Sequence, residues 1–185
     1  ILEDYSHAHW LLAPAMEATR AQGGVVIWSH FSNLPGAESP IGVATGLVDA
    51  LELMTYDDPT QLPSHWGPWK NSGMSQAEFT TMRGIDLYYQ YLNAGFRLPI
   101  VAGTDKMAPD IPLGSNRTYI PAGKAADYSS WLSGVKGGKG FITNGPILTF
   151  DVNGHPSADV GEFKEPCSVN ARVTARAIHP FATLE

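Results

Sequence analysis

A single cysteine, Cys167, is all the thiol chemistry in this chain, which excludes an internal disulfide framework and a multi-cysteine zinc site. With no base beside it in sequence, Cys167 reads as a small core residue and not as a nucleophile. Basic residues are also sparse. Twelve Lys and Arg against 18 Asp and Glu give a net charge of -6, and the phosphate-neutralising patch that a nucleic acid requires is missing. No run approaches the roughly 18 to 20 apolar residues that span a bilayer. The opening Ile1-Leu2-Glu3-Asp4-Tyr5 lacks the basic start and apolar stretch of a signal peptide. Neither nucleic acid nor membrane is expected as a partner, and the compartment stays open. What is present, 43% apolar and 16% charged residues over 185 positions, suffices for a packed core.

Helix and strand patterns alternate along the first part. Trp10 to Gln22 reads as a helix with Leu11, Leu12, Ala15, Ala18 and Thr19 on its apolar stripe and Gly23-Gly24 stopping it. Val25-Val26-Ile27-Trp28 fits a strand buried on both faces. A helical stretch over Gly42 to Asp49 precedes a second strand, Ala50-Leu51-Glu52-Leu53-Met54. The Pro- and Trp-rich region from Tyr56 to Met74 reads as an ordered loop of the kind that covers active sites. Gln76 to Asn93 is the next helix, with Phe79, Met82, Ile85, Tyr89 and Leu92 on one face and Gly95 as its cap. Leu98 to Gly103 is the third strand. This order predicts α/β architecture with parallel strands. Past about residue 140 the period changes: Ile147 to Val152 and Val169 to Ala177 alternate, and Asn153-Gly154 is turn chemistry, so an all-β module is expected over 141–185.

Three of these strands end, or nearly end, in a metal-type side chain: His30, Glu52 and Asp105. In an α/β barrel the working residues sit at the C-terminal strand ends, and imidazole and carboxylate donors there suit a divalent ion. Taken singly, each has an ordinary alternative. A strand-end His can be a hydrogen-bonded structural residue, and a strand Glu can pair with an Arg. Arg117, after Gly114-Ser115-Asn116, can clamp an anionic substrate or simply tie its loop down.

The segments Gly23-Gly24-Val25-Val26-Ile27-Trp28-Ser29-His30, Val48-Asp49-Ala50-Leu51-Glu52-Leu53, and Leu92 to Ile100 with Ala102-Gly103-Thr104-Asp105 resemble the PHP (polymerase and histidinol phosphatase) superfamily. Gly114-Ser115-Asn116-Arg117-Thr118-Tyr119 and Gly140-Phe141-Ile142-Thr143-Asn144-Gly145-Pro146 narrow the resemblance to the carbaryl-hydrolase-like, CehA/McbA-type metallohydrolases. The resemblance implies the C-terminal portion of a distorted (β/α)7 barrel over 1–140, followed by the start of a small β-sandwich-like module over 141–185. It implies more than one divalent metal, zinc or manganese before iron, whose bound water attacks an ester, amide, carbamate or phosphoester. Such an ion brings the pKa of its water from near 16 to about 7. His30 and Asp105 match metal ligands, Asp105 and Glu52 are the catalytic candidates, and Arg117, His9, His65 and Trp66 are the substrate-facing ones.

The chain departs from the pattern where Asp105-Lys106-Met107 lacks a following His. The early His-x-His pair is not matched either, because Tyr5-Ser6-His7-Ala8-His9-Trp10 leads into a helix. Both ends read as internal, as if an N-terminal half were missing. A chain of this kind is expected to be inactive alone, to bind metal weakly, and to form a homo-oligomer or associate with the missing half. The competing expectation is a small-molecule or carbohydrate-binding module that keeps the barrel without its chemistry, with Trp66 and Trp69 as stacking surfaces.

Overall fold

The computed structural model describes residues 12–31, 38–54, 73, 82–106, 109, 112–121, 127–156, 161–163 and 165–180. The chain divides into two compact units, one of Ile1–Leu53 with Thr60–Pro99 and one of Met54–Pro59 with Ile100–Glu185. The class is mixed α/β. Among the described residues the strands fall in three sheets, none closed into a barrel.

In the first unit, helix α1 (Leu12–Ala21) is followed by strand β1 (Ile27–Trp28), helix α2 (Glu38–Ala44) and strand β2 (Ala50–Met54). Strands β1 and β2 run parallel, with Ile27 opposite Ala50 and Trp28 opposite Leu51, as the alternating order predicts. Only the last two residues of the apolar run 25–28 form strand. Ahead of them, the Asp49 carboxylate accepts from the Val26 N–H (2.9 Å) while the Val26 carbonyl accepts from the Asp49 N–H (2.8 Å). Asp49 also meets Arg20 at 3.5 Å, and the Arg20 guanidinium donates to the Gly46 carbonyl, which ties α1 to the end of α2. The inward stripe of α1 differs from the expected one: Leu12 is 45% exposed and Thr19 is exposed, whereas Met16 packs on the core. Gly42 makes room for it, since a side chain there would crowd the Met16 thioether at 3.1 Å.

The core of this unit is Trp28, Phe31, Val43, Val48 and Leu51. Trp28, Phe31 and Tyr91 meet edge to face with centroids 5.0 to 6.1 Å apart, the arrangement favoured by ring quadrupoles. Tyr91 comes from helix α3 (Leu87–Asn93), which follows a π-helical turn at Met82–Asp86. That turn explains a second difference. The expected apolar face carried Ile85 and Tyr89, yet these are 37% and 55% exposed, and Leu87, Tyr88 and Tyr91 face the core instead. An i to i+5 turn takes up one extra residue, which rotates everything after it by about 100° relative to a regular helix. Gly95, at φ 91, closes α3 in the left-handed conformation, and Phe96 N–H bonds back to the Tyr91 carbonyl.

The second unit, which takes in Met54 at the end of β2, contains strand β3 (Ile100–Ala102), after which the Gly103 N–H donates to the Met54 carbonyl at 2.9 Å. Strands β4 (Arg117–Tyr119) and β5 (Phe141–Thr143) pair antiparallel, so this stretch does not continue the parallel order expected through residue 140. Helix α4 (Tyr128–Lys136) lies between them in sequence, capped by the Asp127 carboxylate on the Ser130 N–H at 2.7 Å. Its Gly134 sits against Ile120, and Gly140 sits against the Tyr119 carbonyl.

The last sheet has the order β7-β6-β8, from β6 (Ile147–Val152), β7 (His155–Pro156) and β8 (Ala171–Arg176). Asn153 and Gly154, at φ 53 and 82, form the expected tight turn. The register sets Leu148, Phe150 and Val152 opposite Ala175, Val173 and Ala171. Phe150 and Val173 on that apolar face are 45% and 46% exposed, and no second sheet is seen on it among the described residues. Asn153 joins this sheet twice to Asn170, N–H to carbonyl (2.8 Å) and Oδ1 to N–H (2.9 Å). Cys167, expected in a core, is exposed; it lies in an irregular stretch before β8.

Candidate functional site

In the first unit the chain leaves β1 through Ser29 and His30. His30 stands at φ 53, in the left-handed region that side chains with a Cβ rarely occupy. Glu52 on β2 holds this turn from two sides. Its Oε2 accepts from the His30 N–H at 2.9 Å, and its backbone carbonyl accepts from the Phe31 N–H at 3.2 Å. One oxygen of the candidate catalytic carboxylate is therefore engaged in shaping the His30 turn. Beside that turn lies a cleft of about 450 Å³, walled by Leu12 and Met16 of α1, by Val26, Ile27 and Trp28, and by Val48, with Thr19, Ser29, His30 and Ser39 as polar groups. Apolar walls with few polar groups are the usual build of a small-molecule site.

In the second unit Asp105 follows β3 at φ 49. Its turn is held by the loop at Gly114-Ser115-Asn116. The Gly114 N–H donates to Thr104 Oγ1 (3.1 Å), Thr104 Oγ1 donates to the Asn116 carbonyl (3.5 Å), and Asn116 Nδ2 donates to the Gly103 carbonyl (3.3 Å). Thr104 and Asn116 are buried, at 8% and 3% exposure. Asn116 Oδ1 and Ser115 Oγ are buried with no hydrogen-bond partner among the described residues. Arg117 opens β4 opposite Thr143, with its side chain exposed.

Of the residues singled out from sequence, His30 and Glu52 thus fall together in the first unit, and Asp105 and Arg117 in the second. His9, His65 and Trp66 lie outside the described residues. Among the described residues no group of three His, Cys, Asp or Glu side chains is arranged to hold a metal ion. Thr104, Ser115 and Asn116 were not weighed from sequence, although Gly-Ser-Asn shortly after a strand end is a recognisable polar turn. Comparison with protein-family models, with curated proteins and with solved structures gave no match.

Proposed function

We propose that this chain belongs to a divalent-metal-dependent hydrolase acting on an ester, amide, carbamate or phosphoester bond, with His30 and Asp105 as metal ligands. The observation that carries this reading is conformational. Three non-glycine residues among those described have positive φ, and two of them are the strand-end His30 and Asp105; the third, Asn153, is accounted for by its turn. A left-handed conformation costs a residue with a Cβ roughly 1 to 2 kcal/mol, and such conformations collect where a side chain must be aimed. His and Asp tolerate the region better than most, and finding both of them so placed at strand ends supports the reading.

Imidazole and carboxylate are each donor types that suit a borderline or hard divalent ion, with zinc or manganese before iron. When bound, such an ion supplies an acidified water and polarises the scissile group. The chain's own contribution is placement: Glu52 fixes the His30 turn through its carboxylate and its carbonyl, and the cleft beside His30 offers apolar walls to a substrate. The partial (β/α)7 barrel belongs to the same reading. Metal analysis and hydrolysis assays on the full-length protein test it, with His30→Ala and Asp105→Ala. Both substitutions are expected to lower bound metal and activity together; unchanged metal content with unchanged hydrolysis overturns the reading.

The same cleft favours a second reading, a module that binds a small molecule without transforming it. There, ligand affinity survives Asp105→Ala, and narrowing the cleft with Val48→Phe abolishes it.

A further inference from the structure

Resting on the reading of Asp105 as a ligand, we infer that Asn116 is a positioning residue for Asp105, acting with Thr104 through the backbone on the near side of the Asp105 turn. Asn116 is 97% removed from solvent, with its Nδ2 on the Gly103 carbonyl and its Oδ1 unpartnered among the described residues. A buried acceptor without a partner is unfavourable, so an apolar side chain of the same size would serve simple packing better. What the amide achieves is the bond to Gly103, two residues before Asp105. Thr104, the residue between, is held at its hydroxyl from both directions: it receives the Gly114 N–H and donates to the Asn116 carbonyl. Three hydrogen bonds thus converge on Gly103 and Thr104 immediately ahead of the left-handed Asp105. Backbone held in a sparsely populated region persists where its surroundings over-determine it, and this loop-to-loop clamp is that surrounding.

The test uses the full-length protein, with Mn2+ titrated calorimetrically as the probe and the Asp105 amide resonance as a second readout. Asn116→Leu keeps the volume and removes both Oδ1, unpartnered among the described residues, and the bond to Gly103. A residue that only fills the core predicts unchanged Mn2+ affinity. A positioning residue predicts affinity at least about tenfold weaker, with a Tm no lower than wild type and a displaced Asp105 resonance. Thr104→Val is expected to weaken binding likewise, and Thr104→Ser, which keeps the hydroxyl, to restore most of that loss. Should Asn116→Leu not fold, the Thr104 pair carries the comparison by itself, and failure of Thr104→Ser to restore affinity overturns the inference. Wild-type affinity in Asn116→Leu alongside lost affinity in Asp105→Ala also overturns it while leaving the metal reading standing. Equal Mn2+ affinity in wild type and Asp105→Ala removes the metal reading instead. The Asp105 resonance then decides: displacement in Asn116→Leu supports the clamp, and an unmoved resonance overturns it.

Discussion

The Glu52 carboxylate accepts the backbone N–H of His30 at 2.9 Å, so a side chain on β2 fixes the backbone of the turn that leaves β1. Hydrogen bonds to a charged group contribute about 1.5 to 3 kcal/mol. Glu52→Ala is therefore expected to lower unfolding stability by about 2 kcal/mol, and Glu52→Gln, whose amide oxygen still accepts, by about half of that. Urea unfolding followed by Trp28 fluorescence measures both. Equal losses in the two variants would show that the bond to His30 is not what Glu52 contributes.

Phe31 is fully buried and meets Trp28 and Tyr91 edge to face. Phe31→Ala should cost about 3 to 5 kcal/mol, and Phe31→Leu, which refills most of the volume, about 1 to 1.5 kcal/mol. Chemical denaturation gives the values, and a loss under 1 kcal/mol for the alanine variant contradicts this core.

Tyr88 donates its hydroxyl to the Leu98 carbonyl at 3.0 Å, and burial first, then the neighbouring Tyr89, holds its phenol above the usual 10.0. The unfolded chain releases this proton before the folded one does. The stabilising contribution is thus complete below pH 10 and is lost as pH rises through the folded value. Tyr88→Phe should lose about 1 kcal/mol at neutral pH and flatten the decline in Tm above pH 10. A decline equally steep in the variant assigns it to another group, Tyr91 first, whose phenol burial also raises.

Asp127 caps α4, and hydrogen bonds from Ser130, its backbone N–H first and then its side chain, hold the carboxyl below the ordinary 3.8. Its contribution is present above that value and fades as pH falls through the folded one. The protection factor of the Ser130 amide, its slowing relative to the intrinsic rate at the same pH, is expected to fall on acidification in the wild type and to be low at every pH in Asp127→Ala; strong protection in the variant would deny the cap any role.

Gly134 and Gly140 both lack room for a methyl group, but against different neighbours. A Cβ at Gly134 would run into Ile120 Cγ2, and one at Gly140 into the Tyr119 carbonyl oxygen as well as Ile120 Cδ1. Side chains can move aside and a paired backbone cannot. Gly140→Ala should therefore destabilise by more than Gly134→Ala, whose loss of about 1 to 3 kcal/mol from overpacking is offset by the roughly 1 kcal/mol that alanine gains in a helix. Ile120→Ala should relieve Gly134→Ala fully and Gly140→Ala only in part, because the Tyr119 carbonyl stays in the way, as thermal melts of the double variants would show.

The legible parts of the sequence were those governed by near neighbours. β2 over Ala50–Met54, the end of α3 at Gly95 and the Asn153-Gly154 turn follow from local pattern and backbone preference. The face of α3 did not, because a π-helical turn shifts the phase and periodicity alone carries no mark of it. The antiparallel β4 and β5 were missed since three-residue strands are too short to show a period. At the candidate site, ligand-type residues at strand ends were readable, whereas the Thr104 and Asn116 clamp depends on two loops meeting across 12 residues of chain.

The paired bonds between Asn153 and Asn170 bear on how the last sheet finds its alignment. The β6 and β7 hairpin closes over two residues, an event of roughly 1 to 10 μs, while β8 must be recruited from 17 positions further on. A strand slipped by two residues would still lay apolar side chains over Leu148, Phe150 and Val152, namely Ala177, Ala175 and Val173 one way or Val173, Ala171 and Val169 the other, since only odd slips exchange faces. Collapse by itself therefore admits several alignments. Asn153, already fixed by the turn, supplies two bonds that form only when Asn170 arrives opposite it, and Asp151 then meets Arg172 across the ladder. One asparagine at the tip of the hairpin thus proofreads the threading of a six-residue strand.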